Sequence, residues 1–158
     1  RHGLILKGEI KMADKRRIQL TVNGAVYEGY AEPRKLLSDF LRDELTLLGT
    51  HVGCEHGICG ACTILFNGEP IRSCLMFAVQ ADGAEIKTIE GIAQNGELHP
   101  LQAAFNEKNA VQCGFCTPGM LLTTYQFLSE NPNPTDGSCL KIVGFNFDAG
   151  CKKHGYTQ

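Results

Sequence analysis

Four cysteines crowd one short stretch of this 158-residue chain, at Cys54, Cys59, Cys62 and Cys74. The first three are spaced C-x4-C-x2-C, and the fourth follows an Asn-Gly turn at Asn67-Gly68. Thiols this dense converge only if the backbone bends sharply and leaves room between them. Gly53, Gly57 and Gly60 supply that freedom, because glycine accepts positive φ and close approach. A loop folded so tightly also aims backbone N–H groups at its own sulfurs, which tunes any metal bound there.

The spacing is that of the plant-type 2Fe–2S cluster, in which four thiolates hold two irons. Zinc sites pair their cysteines differently, as two C-x2-4-C units a dozen or more residues apart. A disulfide framework needs an oxidising compartment. The short apolar run Leu4-Ile5-Leu6 is no signal-peptide core. His56 lies inside the loop, but a Rieske centre replaces two cysteines with histidine, and here four cysteines are at hand. His56 is therefore read as a loop residue near solvent.

The chain holds eight cysteines, the requirement of two such clusters, which in a reducing, cytoplasmic setting argues for metal ligation. A net charge of −2 leaves no footprint of nucleic-acid or acidic-membrane binding. There is no apolar run long enough for a membrane span.

Around the loop the pattern is that of a small sheet. Residues 18–22 alternate apolar and polar, the period of a half-buried strand. Asn23-Gly24 is a strong hairpin signal, and residues 26–31 form the return strand. Leu36, Leu37, Phe40, Leu41 and Leu45 recur at helical spacing. Residues 63–66 and 71–77 flank Asn67-Gly68 as a second hairpin, and 85–89 read as a last strand. Two hairpins, a crossing helix and a cluster loop predict a β-grasp domain of ferredoxin type over residues 12–91.

Residues 92–136 read as helical. Leu101, Ala104 and Phe105 stripe one helix beginning near Pro100, and Met120, Leu121, Tyr125 and Leu128 stripe another ending at Asn131-Pro132. Pro118 falls in a first turn, where its missing N–H costs nothing. Between the stripes stands Gln112-Cys113-Gly114-Phe115-Cys116-Thr117-Pro118-Gly119. A C-x2-C at a helix junction is either a thioredoxin-like redox pair or half of a metal site. Its helical context favours half of a second cluster, so the fold class is α+β, a β-grasp domain followed by a small helical-bundle 2Fe–2S domain.

The phrases Gly53-Cys54-Glu55-His56-Gly57-Ile58-Cys59-Gly60-Ala61-Cys62, Ser73-Cys74 and Gln112-Cys113-Gly114-Phe115-Cys116-Thr117-Pro118-Gly119-Met120 together resemble the iron–sulfur subunit of the molybdenum hydroxylases, the xanthine oxidase family. The likeness runs over residues 16–136 of the 158. Residues 73–83 and Thr88-Ile89-Glu90-Gly91 look most like the small chain of aerobic carbon-monoxide dehydrogenase. The resemblance implies an electron-transfer subunit. Cys54, Cys59, Cys62 and Cys74 would hold an outer 2Fe–2S cluster. Cys113 and Cys116 would hold part of an inner one, and Gln112 would contact a pterin. A large partner subunit would carry molybdopterin and the chemistry, and a medium subunit would carry FAD. A free-standing ferredoxin would need only the first half of the chain. A zinc-binding interaction module would be colourless, where a 2Fe–2S protein is red-brown.

The chain departs from the family after Asp136. The family completes its inner cluster with a C-x-C inside a phrase like L-S-G-N-L-C-R-C-T-G-Y. Here residues 137–158 offer only Cys139 and Cys151, and Lys153, whose ammonium has no free lone pair to give iron, stands where alignment on Gly155-Tyr156 puts the second cysteine. Either Cys139 and Cys151 complete the second cluster in an unusual geometry, or the tail is a reading-frame artefact. Residues 141–144 back-translate as AAG ATT GTC GGT, which one base out of frame reads Arg-Leu-Ser-Gly. Residues 148–151, as GAT GCA GGA TGC, give Cys-Arg-Cys when one base is dropped. Residues 1–11 are expected to be a non-native leader before a start at Met12, since Lys7-Gly8-Glu9 can read as a ribosome-binding sequence.

Overall fold

The alternation at 18–22 becomes strand β1, Arg16–Val22, with Ile18, Leu20 and Val22 buried and Arg17 and Gln19 exposed. The computed structural model describes residues 15–93 and 95–134. The expected leader 1–11 and the tail 137–158, with Cys139 and Cys151, lie outside the described residues. Strand β2, Ala25–Ala31, returns antiparallel to β1. Asn23 and Gly24 between them have φ of 52° and 82°. Positive φ at both central residues is the turn whose twist matches the flanking strands.

The second hairpin turns the same way, with φ of 51° at Asn67 and 90° at Gly68. It joins β3, Thr63–Phe66, to β4, Glu69–Arg72. The return strand is shorter than its apolar run predicts. At Ser73 both the backbone N–H and the hydroxyl donate to the Cys62 carbonyl, at 3.2 Å and 2.7 Å. The chain then turns into a 3-10 segment, Ser73–Leu75, and Cys74 sits in that turn rather than on a strand. Strand β5, Glu85–Lys87, inserts between β1, to which it is parallel, and β3, to which it is antiparallel. The sheet order is β2-β1-β5-β3-β4.

The predicted crossing helix is present but differs in winding. A short α-helical turn, α1, Leu37–Asp39, widens at once into a π-helical turn over Phe40–Glu44. The Leu45 N–H reaches the Phe40 carbonyl, five residues back, at 3.3 Å. The wider turn keeps Leu45 and Leu47 against the core that Leu37, Phe40 and Leu41 fill together with Ile18, Leu20, Ile64 and Ile86.

Helices α2, Pro100–Glu107, and α3, Thr117–Glu130, follow. They build a second core in which Leu121 and Leu122 meet Leu65 and Ile92, with Leu101, Phe105 and Tyr125 packed around them. Strand β3 is thus buried on both sides, giving Ile64 to one core and Leu65 to the other. Among the described residues no helix is long and apolar enough to cross a membrane.

The first hairpin turn also holds the chain where it leaves the sheet. Asn23 Nδ2 donates to the Thr88 hydroxyl and Asn23 Oδ1 accepts from the Thr88 N–H, each at 2.9 Å. A Cβ on Gly91 would overlap the Asn23 side chain. Asn23→Ala removes both bonds, leaves the buried Thr88 without them, and strains a residue held at positive φ. We expect a loss of about 1–3 kcal/mol, seen as a lower urea midpoint at unchanged slope.

Candidate metal centre

The cysteine loop is approached along a clamped segment. One Arg42 guanidinium nitrogen, Nη1, donates to the carbonyls of Leu48 and Thr50, both at 2.8 Å. The Gly49 N–H donates to the Glu90 carboxylate at 2.8 Å. These contacts fix the backbone immediately before the first thiol. The loop then turns through three residues in the left-handed region, Glu55, Gly57 and Gly60, at φ of 54°, 75° and 74°. Gly57 and Gly60 adopt this region without the Cβ penalty that Glu55 bears. The Gly60 carbonyl accepts from the Thr63 N–H at 3.2 Å and from the Thr63 hydroxyl, which in turn accepts from Arg72 at 2.8 Å. The loop is thereby tied to the start of β3.

The folded loop brings the four thiols together in two pairs. The Cys54 sulfur accepts from the backbone N–H groups of His56 and Cys59, each at 3.4 Å. The Cys59 N–H on it, followed by that of His56, brings the Cys54 thiol down to about 6. The Cys59 thiol neighbours that of Cys54, and the Cys74 thiol neighbours that of Cys62. Burial pushes the Cys59 thiol up. Burial, and then the neighbouring Cys62 thiol, pushes Cys74 up to about 11. Cys62 and Cys74 are buried, and Cys54 and Cys59 half-buried.

This donor set fits a cationic cluster. Four thiolates gathered in one loop repel one another, so a positive partner is needed to hold them together, and a coordinating metal deprotonates a thiol outright. Among the described residues no group of three or more His, Cys, Asp or Glu side chains is arranged to hold one metal ion. A two-iron cluster asks for something else, two thiolates on each iron, which matches the pairing of Cys54 with Cys59 and Cys62 with Cys74. His56 is exposed, and its ring nitrogen Nδ1 is engaged with the Cys54 carbonyl rather than with a thiol.

The second cysteine motif lies against the first loop. Gln112 and Cys113 are exposed, Gly114 turns the chain at φ 77°, and Cys116 is half-buried at the N-cap of α3. Gly119, one turn into the helix, is buried, and a Cβ there would overlap the Gly60 carbonyl oxygen. The His51 ring stacks on Phe115, with centroids 4.8 Å apart and planes 22° from parallel. His51 Nδ1 lies 2.8 Å from the Phe115 carbonyl oxygen, an acceptor, so this nitrogen carries the proton. Cys113 and Cys116 flank Gly114 and Phe115 just before the first turn of α3. Sequence reading assigned no role to Arg42, His51, Glu90 or Phe115. Their partners lie up to 64 residues away, and nothing in their local pattern announces the contact.

Two family models match the chain, one described as a 2Fe–2S iron–sulfur cluster binding domain over residues 20–88, the other as a [2Fe-2S] binding domain over residues 88–157. Caffeine dehydrogenase subunit gamma of Pseudomonas sp. (strain CBB1) is 65% identical over 144 residues, which cover 89% of this chain and 84% of that one. The 6-hydroxypseudooxynicotine dehydrogenase complex subunit beta of Paenarthrobacter nicotinovorans is 46% identical, covering 90% and 88%. Among solved structures, a chain of quinoline 2-oxidoreductase from Pseudomonas putida 86 superposes with a TM-score of 0.84 at 46% identity, covering 90% of this chain and 86% of that one. With its paired thiols, its mixed sheet and a helical half seated on the cysteine loop, the chain belongs to the small 2Fe–2S subunits of the molybdenum hydroxylases, which carry electrons for catalytic partner chains.

Proposed function

We propose that this chain serves a molybdopterin-dependent dehydrogenase whose substrate is a nitrogen heterocycle. The pairwise convergence of Cys54, Cys59, Cys62 and Cys74 in a loop that touches the second cysteine motif carries the electron-transfer part of this reading. A bound 2Fe–2S cluster supplies one-electron storage. In this reading those four residues hold the outer cluster. Cys113 and Cys116 hold one side of an inner cluster, and exposed Gln112 reaches the pterin of the large partner chain. A medium chain with FAD takes the electrons onward, and the complex works in the cytoplasm. Cys139 and Cys151 are the remaining cysteines. They complete the inner cluster only if a tail without a C-x-C pair can bring both to Cys113 and Cys116.

The substrate class rests on the relatives. Caffeine and quinoline, named in two of them, are nitrogen heteroaromatics. Likeness at the level of 65% identity over most of both chains outweighs the short phrases that resemble a carbon-monoxide enzyme. The test is to purify the native complex, confirm molybdenum in the large chain, and add substrate without an electron acceptor. Caffeine or quinoline should produce the electron paramagnetic resonance signal of a reduced 2Fe–2S centre within turnover time, and carbon monoxide should not. A signal from carbon monoxide alone would overturn the substrate class. A chain that purifies alone, with no molybdenum protein, would overturn the partner assignment.

A further inference from the structure

We propose that Phe115, carried by the second cysteine motif, shields the first cysteine loop from water and thereby sets how readily that loop's site accepts an electron. This rests on the reading that Cys54, Cys59, Cys62 and Cys74 hold a 2Fe–2S cluster. The first loop is thin at Gly53, which is exposed and has no side chain. From the position a Cβ would occupy on Gly53, the Phe115 ring atom Cε1 is 3.2 Å away and the Cys59 sulfur 3.3 Å. The ring edge and the thiol therefore flank the same point. Phe115 supplies there the apolar cover that residue 53 lacks.

The ring is held in place by a histidine. His51 stacks on it, and the same imidazole donates from Nδ1 to the Phe115 carbonyl at 2.8 Å. One side chain thus fixes both the ring and the backbone that carries it. Phe115 is 47% exposed, an unusual amount for an aromatic residue whose purpose is core packing. It also lies outside both hydrophobic cores. Position over the loop, rather than burial, is what its contacts secure.

The physical consequence has a definite sign. A 2Fe–2S site with four thiolates is already anionic and gains one further negative charge when it takes up an electron. Water stabilises the more highly charged form, and solvent exposure is one of the factors that set cluster potentials. A ring that excludes water holds the potential down. Removing it should raise the potential.

The experiment is a redox titration of the first cluster in the full chain, followed by visible absorption and paramagnetic resonance. At a fixed potential Phe115→Ala should raise the ratio of reduced to oxidised centre between about threefold and tenfold, tenfold being 59 mV for a one-electron couple. Phe115→Leu, which keeps an apolar cover, should shift it less. His51→Ala, which frees the ring, should shift it in the same direction. Amide exchange at Cys59 should quicken in the same order. No rise, or a fall, in Phe115→Ala would overturn the proposal. So would loss of iron from both Phe115 variants, since the ring would then be structural. An equal shift from Tyr125→Ala, which loosens the helical half away from the loop, would also overturn it. An unmodified chain that binds no 2Fe–2S cluster would instead sink the reading beneath it.

Discussion

Cys59→Ser should abolish the first cluster or change its spectrum beyond recognition while leaving the fold in place. Cys59 sits at the centre of the loop, its thiol paired with Cys54 and its N–H donating to the Cys54 sulfur. Serine keeps that N–H, so the turn through Gly57 and Gly60 survives. What changes is the ligand. A hydroxyl is harder than a thiolate and far less ready to lose its proton, and iron–sulfur clusters select soft thiolates. The variant should therefore melt close to the parent apoprotein and lose visible absorption. A variant with full iron content and an unaltered spectrum would show that Cys59 is no ligand.

Gly119→Val should loosen the helical half from the cysteine loop. A glycine inside a helix ordinarily costs about 1 kcal/mol relative to alanine, so replacing one is a common route to greater stability. Here the space decides the sign. A Cβ would run into the Gly60 carbonyl, which is backbone and already bonded to Thr63, with the Thr63 hydroxyl a further 3.3 Å neighbour. The carbonyl cannot swing aside as a side-chain tip would, and the hydroxyl is held by its bonds to Gly60 and Arg72. Overpacking of this kind costs about 1–3 kcal/mol, and backing α3 away also strips Leu121 and Leu122 from Leu65. We expect a lower urea midpoint and faster amide exchange at Thr63. A valine variant as stable as the parent would show that α3 does not bear on the loop.

The parts of this structure legible in the sequence are those set by neighbours in the chain. Alternation placed β1, Asn-Gly pairs placed both hairpin turns, and Pro118 and Asn131-Pro132 bracketed α3. The cysteine spacing placed a sharply turned loop because thiols this dense must converge locally. What escaped depends on distant partners. The widening of the helix at Phe40–Glu44 answers to the core it packs on, since the leucine spacing alone fits an ordinary helix. The early end of β4 is made by Ser73 bonding back to Cys62. The Asn23–Thr88 and His51–Phe115 contacts join residues more than sixty positions apart. A hairpin asparagine and a loop histidine look the same in sequence whether or not such partners wait for them.

Metal and sulfide analysis of the purified chain tests the cluster most directly. The protein should be red-brown, with iron and acid-labile sulfide in equal amounts, about two of each per chain from the first loop and about four if the second site is also filled. A colourless protein carrying zinc and no sulfide would contradict a 2Fe–2S site.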